Sequence, residues 1–152
     1  MRLAIVAVGK AKASPERDLY RHYASRIHWP LSLIEVEEKR RLPAPELKEA
    51  EGRLLLAAVP PRAVLWALDG GGKPLSSEAL AAVLGKLQDS GEAGLALAIG
   101  GADGLADAVL EKARFCLSLG AMTWPHMLVR GMLAEQLYRA QQILAGHPYH
   151  RA

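Results

Sequence analysis

The chain has little cysteine and few aromatic residues, and the shortage of cysteine excludes one class of protein. Of its 152 residues one is cysteine, Cys116, and aromatic residues make up only 5%. A single cysteine cannot form a disulfide within one chain, so a disulfide-stapled scaffold is excluded. Cys116 lies in an apolar run, where the ordinary role of cysteine is that of a small buried hydrophobe. We therefore expect a reduced, intracellular protein.

The sequence also lacks a long hydrophobic segment. After Arg2 only six apolar residues follow, which is too short for a signal peptide, and the longest helical pattern carries Arg130, Glu135 and Arg139. Repeats, linkers and low-complexity tracts are missing as well. We expect no membrane association and a cytoplasmic location.

What is present fits one compact enzyme-sized unit. Apolar residues make up 51% of the chain, enough for a real core, and the length suits a single domain over residues 1–152. The net charge is +3 and the isoelectric point is near 9.2. Such an excess permits a polyanionic partner without demanding one, because a solvated basic surface has the same signature.

Apolar runs alternate with helical patterns along the chain. Residues 3–8, 63–68 and 95–99 are continuous apolar stretches, as in parallel strands covered on both faces, and a further run follows over 115–119. Residues 32–37 alternate polar and apolar, which predicts a strand nearer an edge. Helices are predicted from Ser14 to about residue 27, from Pro45 to before residue 60, and over 76–90, 103–112 and 125–145. The order predicts an α/β fold with a mostly parallel sheet flanked by helices.

Two glycine-rich segments each follow a predicted strand. They are residues 69–73 (DGGGK) and 100–104 (GGADG). Glycine lets the backbone approach a flat ligand closely. Neither segment is a standard nucleotide fingerprint, because Pro74 follows Lys73 where a P-loop needs Ser or Thr, and G-x-G-x-x-G is absent. Ordinary strand-to-helix turns remain the alternative interpretation.

Four segments in order carry a resemblance to a known family. They are LAIVAVGK from residue 3, LDGGGKPLSSEALA from residue 68, AIGGADGL from residue 98, and the C-terminal stretch with MTWPHMLVR, EQLYRA and PYHR. Together they resemble the SPOUT, or α/β-knot, methyltransferases over the whole length. The resemblance implies a C-terminal trefoil knot, S-adenosylmethionine as cofactor and a homodimer. It also implies N3 methylation of a pseudouridine in 23S ribosomal RNA on the assembled ribosome.

The resemblance implies a cofactor pocket where the turns after three strands converge. Its residues would be Leu68, Gly100, Gly101, Leu119, Gly120, Ala121, Met122, Thr123 and Trp124. Gly120 stands where the family commonly has a serine, so a hydroxyl contact is lost there. We expect Gly100→Val to abolish cofactor binding while leaving the fold largely intact.

Candidate catalytic and RNA-contacting residues lie near the C-terminus. They are His126, Arg130, Arg139, Tyr149 and His150, with Glu135 as a further candidate base. Histidine or a carboxylate could take the acceptor proton, and the arginines could hold phosphate or developing charge. Each has a plain alternative: His126 a local backbone contact, Glu135 and Arg139 a surface ion pair one helical turn apart, and the tail disorder. His147 and His150 without cysteine or carboxylate partners make a poor zinc site, so we expect no metal.

Two functions of other classes stay open at this level. One is a different nucleotide-binding enzyme that uses the glycine loops for phosphate. The other is a noncatalytic ribosome- or RNA-binding module. For RNA contact, Arg17 and Arg21 lie one turn apart on the first predicted helix, although a solvated helix face gives the same spacing.

Overall fold

A computed structural model describes residues 1–151 of the chain. Five strands alternate with five helices, as the sequence predicts. The elements are β1 (Arg2–Val8), α1 (Pro15–Ala24), β2 (Leu31–Val36), α2 (Ala44–Ala58), β3 (Ala63–Pro74), α3 (Ser77–Asp89), β4 (Gly94–Ile99), α4 (Asp107–Lys112), β5 (Phe115–Ser118) and α5 (His126–Leu144).

The five strands form one sheet in the order β2-β1-β4-β3-β5, and every pairing is parallel. The prediction of a mostly parallel α/β sheet is therefore confirmed. The alternating strand β2 lies at an edge, also as predicted. Because all strands run the same way, the turns that follow β1, β3, β4 and β5 lie together at the carboxyl ends of the strands, which we call the carboxyl edge of the sheet.

Helices cover both faces of the sheet. On one face, α1, α3 and α5 pack over a core that includes Ile5, Leu97 and Leu133. On the other face, α2 and α4 pack over a smaller core that includes Val6 and Leu55. Alternate residues of each buried strand thus face opposite layers, which explains why these strands are apolar throughout.

Local chemistry sets where the helices begin. The Ser14 hydroxyl accepts from the Arg17 amide at 3.1 Å and caps α1, and Ser76 caps α3 in the same way. The predicted helix from residue 103 begins only at Asp107, because residues 101–104 form a tight turn closed by a Gly101–Gly104 bridge. The first helix ends at Ala24, three residues before the predicted end.

The pairing of β3 with β5 contains a large register shift. Leu117 pairs with both Leu68 and Lys73, so residues 69–72 of β3 bulge away from the ladder. Gly72 presses against the β5 backbone there: a Cβ on it would lie 2.5 Å from the Cys116 carbonyl oxygen, so only glycine fits. The pairings alone do not establish threading, and the trefoil knot stays a prediction of the family resemblance.

Candidate functional site at the carboxyl edge of the sheet

A cleft of about 220 Å³ opens where the segments after β3, β4 and β5 meet. Its walls are apolar side chains and glycine backbone, which is the usual lining of a small-molecule site. The lining residues are Leu68, Asp69, Gly70, Ile99, Gly100, Gly101, Ala102, Gly104, Leu117, Leu119, Met122, Thr123, Trp124, His126 and Val129. We call it the loop cleft.

The structure brings together seven of the nine residues predicted to bind cofactor. Leu68, Gly100, Gly101, Leu119, Met122, Thr123 and Trp124 all line the loop cleft. Gly120 lines a neighbouring cleft instead, and Ala121 is exposed and lines neither. Convergence of three segments far apart in sequence on one small volume is what the family resemblance implies.

Gly100 has a structural reason to be glycine. A Cβ on it would lie 2.6 Å from the carbonyl carbon and oxygen of Gly104, so a side chain would push apart the tight turn after β4. We therefore expect Gly100→Val to disturb this turn, and it remains a prediction that the rest of the fold stays largely intact. Such a variant would lose loop structure and ligand contact together.

Ser118 organises the loop cleft and was missed from sequence. It is 6% exposed at the end of β5. Its hydroxyl accepts from the Gly120 amide at 3.1 Å and lies 3.3 Å from the Gly70 carbonyl, so it joins Gly70 of the loop cleft to the turn that lines the neighbouring cleft. A serine at the end of an apolar run gives no signal of this, because the contact arises only when β5 meets the bulge of β3.

Gly120, two residues after Ser118, has a φ of 112°, a backbone conformation that favours glycine. No atom lies within 4 Å of a Cβ built on it. The loop closes further on as the Trp124 indole donates to the Leu119 carbonyl at 3.3 Å. The family's common serine would have space at position 120 but would strain the backbone as it stands here.

His126 begins α5 and is half-buried beside the loop cleft. Its Nε2 lies 4.0 Å from a Cβ built on Gly9, which places it next to the turn after β1. Of the five predicted catalytic residues, His126 is the one that lines this cleft.

Arg130 lies one turn further along α5 and is only 2% exposed. Its guanidinium donates to Glu35 Oε2 at 2.5 Å and to the carbonyl oxygens of Val8 and Gly9 at 3.2 and 2.7 Å. It therefore fastens α5 to the end of β1. The interpretation of Arg130 as a phosphate ligand does not fit this burial, and a positioning role replaces it.

Glu35 is the partner that sequence reasoning missed. Burial of its carboxyl opposes ionisation, but hydrogen bonds from the Ala11 amide and Arg130 outweigh that and hold its pKa below the ordinary value. A signal was present: Glu35 shares the inward face of β2 with Leu31 and Leu33, where a carboxylate needs a partner.

Arg139, Tyr149 and His150 lie together at the other end of α5, around Glu135. Arg139 donates from Nε and an NH2 group to Glu135 Oε1 at 3.0 and 2.6 Å, and the Tyr149 hydroxyl donates to the same oxygen at 3.0 Å. The Arg139 guanidinium also lies 4.8 Å from the centre of the Tyr149 ring. The predicted ion pair is present, and through Tyr149 it also anchors the C-terminal tail to α5.

His150 is held at both ring nitrogens. Arg139 NH1 lies 3.0 Å from Nδ1, and Glu78 Oε1 lies 2.7 Å from Nε2. Arginine can only donate, so Nδ1 accepts, and Nε2 carries the proton that it donates to Glu78. Both positions are occupied, so His150 secures the tail to α3 in this conformation and offers no lone pair to an incoming proton.

The Tyr149 hydroxyl is a poor acid in this setting. Burial and the hydrogen bond to Glu135 raise its pKa to about 12. It therefore stays a neutral donor throughout the physiological range and keeps the tail attached to Glu135.

Within residues 1–151 no cluster of three or more histidine, cysteine or acidic side chains has the arrangement of a metal site. Over the same residues, no helix combines the length and apolar character needed to cross a membrane.

The sheet is all-parallel, has helices on both faces and carries a small cleft at its carboxyl edge. This is the α/β architecture that binds ligands where the strands end. The family described as "Predicted SPOUT methyltransferase" matches residues 1–150. The chain belongs to the SPOUT methyltransferase family.

Relatives that carry a functional name match the full length of the chain. It is 60% identical over 152 residues, all of both chains, to Ribosomal RNA large subunit methyltransferase H of Rhodospirillum centenum. It is 57% identical over 99% of both chains to the protein of the same name from Paramagnetospirillum magneticum. The crystal structure of a probable methyltransferase from Bordetella pertussis Tohama I superimposes with a TM-score of 0.58 at 17% identity, covering 91% of this chain and 95% of that one, which supports the fold.

Proposed function

We propose that the chain is an S-adenosylmethionine-dependent methyltransferase that methylates N3 of a pseudouridine in 23S ribosomal RNA on the assembled ribosome. The observation that carries the cofactor half is the convergence of Leu68, Gly100 and the 119–124 segment on one cleft. The RNA half is supported by relatives named as large-subunit ribosomal RNA methyltransferases over the full chain length. The pseudouridine comes from the family resemblance of the motifs.

The loop cleft fits the adenosine part of this cofactor. Leu68, Ile99 and Leu117 give apolar walls for a flat ring, and the glycines bring backbone amides and carbonyls close to the cleft. The volume of about 220 Å³ is small for the whole molecule, since ligand sites usually measure about 300–1,000 Å³. The rest of the cofactor would therefore lie outside this cleft.

When bound, S-adenosylmethionine supplies a methyl group already activated by its sulfonium. The task of the chain is therefore to align the acceptor nitrogen with that methyl group, to exclude water and to receive the N3 proton. His126 and Glu135 are the two groups for the proton: His126 lines the loop cleft, and Glu135 lines the cleft beside it. Arg139 and Tyr149 hold the Glu135 carboxylate in place.

We further propose a cytoplasmic homodimer. The apolar side chains of α5 at Leu133, Ala134, Leu137 and Ala140 are buried inside the chain and are not available for an interface. Support comes instead from large apolar side chains left exposed, among them Leu19, Met122 at 74% and Trp124. Sedimentation should give about twice the 16.4 kDa chain mass at micromolar concentration.

The decisive experiment incubates the protein with labelled S-adenosylmethionine and ribosomes from a strain that lacks it. We expect label on one large-subunit pseudouridine, located by mass mapping. Tight binding of ATP or NAD without binding of S-adenosylmethionine would instead favour the nucleotide-binding alternative. Binding to ribosomes without any modification would favour the noncatalytic module.

A further inference from the structure

A second and larger cleft adjoins the loop cleft. It measures about 540 Å³ and shares Leu117 and Leu119 with the loop cleft, so the two clefts adjoin along this segment. Its walls come from α1, the start of α3, the 117–120 segment and the middle of α5. They are Leu19, Tyr23, Pro74, Leu75, Ser76, Ser77, Leu80, Leu117, Ser118, Leu119, Gly120, Gly131, Met132, Glu135 and Gln136. We call it the helix cleft.

One wall of the helix cleft is a chain of hydrogen-bonding side chains. The Ser77 hydroxyl donates to Gln136 Oε1 at 2.7 Å, and Gln136 Nε2 donates to Glu135 Oε2 at 3.0 Å. Each of these three side chains can still accept a further hydrogen bond, through the serine oxygen, the amide oxygen or the carboxylate. The opposite surroundings are apolar, with Leu75, Leu80 and Tyr23 suited to a flat ring.

An acceptor-rich wall suits a ring with an N–H donor to offer. Pseudouridine differs from uridine in having a free N1–H, because its sugar is attached through carbon. N1 and N3 are separate ring positions, so N3 can face the cofactor while N1–H faces another wall. A partly buried polar wall that the wrong base leaves unpaired discriminates against that base.

We propose that the helix cleft holds the unstacked acceptor base and that Gln136, with Ser77, selects pseudouridine over uridine by accepting from N1–H. The proposal rests on the proposed function. The tail belongs to the same site, because Tyr149 donates to Glu135 and thereby fixes the carboxylate at the end of the wall.

The test compares Gln136→Leu with Gln142→Leu on two kinds of ribosome. Both glutamines are partly buried on α5, but Gln142 does not line the helix cleft. One ribosome preparation carries pseudouridine at the acceptor position and the other carries uridine, and both lack the methyl group. Single-turnover methylation gives kcat/KM for each, and calorimetry gives the Kd for S-adenosylmethionine.

We expect Gln136→Leu to lower kcat/KM on pseudouridine ribosomes by about 10- to 100-fold, the usual value of one base-reading contact. The rate on uridine ribosomes should hardly change, so the preference of the wild-type protein for pseudouridine collapses. Gln142→Leu should behave as wild type on both. Ser77→Ala, which leaves the Ser76 cap of α3 in place, should reduce the preference in the same direction.

Other outcomes overturn the inference. An unchanged preference in Gln136→Leu, with the cofactor Kd also unchanged, means that the base is read elsewhere. A weakened cofactor Kd in Gln136→Leu or Ser77→Ala means that the helix cleft holds part of the cofactor. Dissociation of a dimer in either variant, seen by sedimentation, means that a second copy of the chain occupies the cleft. Failure of the wild-type protein to methylate either ribosome would instead remove the proposed function itself.

Discussion

The two ends of α5 use the same residue type in opposite ways. Arg130, in the first half, is 2% exposed and binds the end of β1 through two backbone carbonyls and Glu35. Arg139, in the second half, is 23% exposed and holds Glu135, Tyr149 and His150. One half therefore fixes the helix to the sheet, and the other fixes the tail to the helix. Arg130 therefore holds together the fold around the site, whereas Arg139 holds side chains that belong to the site.

Stability should distinguish the two arginines most strongly. Arg130→Leu leaves Glu35 and two carbonyl groups without their donor, so we expect the free energy of unfolding to fall by about 3 kcal/mol, the lower end for breaking a buried pair because Glu35 is partly exposed. Arg139→Leu, the same change nine residues on, should cost less than about 1 kcal/mol. Urea denaturation of both variants measures this. Equal losses would remove the distinction between the two halves.

Removal of the tail should affect turnover rather than stability. A chain that ends at Pro148 loses the Tyr149 and His150 contacts with Glu135, Arg139 and Glu78. We expect methylation of ribosomes to fall about 100-fold, or about 2.7 kcal/mol in the barrier. The Kd for S-adenosylmethionine and the melting temperature should stay close to those of the full chain. Turnover at the normal rate would mean that the acceptor site is complete without the tail.

The two halves should also respond to opposite ends of the pH scale. The pKa of Tyr149 rises from 10.0 to about 12, so its stabilising contact is complete below about pH 10 and is lost as pH rises through about 12. The pKa of Glu35 is lowered, so its contact is complete above its ordinary pKa of 4.5 and is lost as pH falls below that. Tyrosinate absorbance during an alkaline titration should lose one late step in Tyr149→Phe. Retention of that step would assign it to another tyrosine.

The sequence predicted the parts of the site that are made of backbone. The family resemblance of the motifs after apolar strands located the loop cleft, and the alternation of β2 placed that strand at an edge. Parallel strands bring such turns together by geometry alone, so no side-chain detail was needed.

The parts made of side chains were harder to predict. The burial of Arg130, the bridging role of Ser118 and the wall formed by Ser77 and Gln136 depend on which elements meet in space. The spacing of residues along the chain does not indicate which elements meet in space. The Glu135–Arg139 pair was predictable from its four-residue spacing, but its link to Tyr149 was not.

The bulge of β3 has a consequence for the order of folding. β5 pairs with β3 on both sides of residues 69–72, and Gly72 lies against the Cys116 backbone without room for a side chain. β5 lies at an edge with a partner on one side only, and it must pair with β3 on both sides of the bulge. We expect β1, β3 and β4 to assemble first and the loop cleft to be completed last. In stopped-flow refolding, the ability to bind S-adenosylmethionine should then appear with the slowest phase, so that the ligand reports the arrival of the final strand.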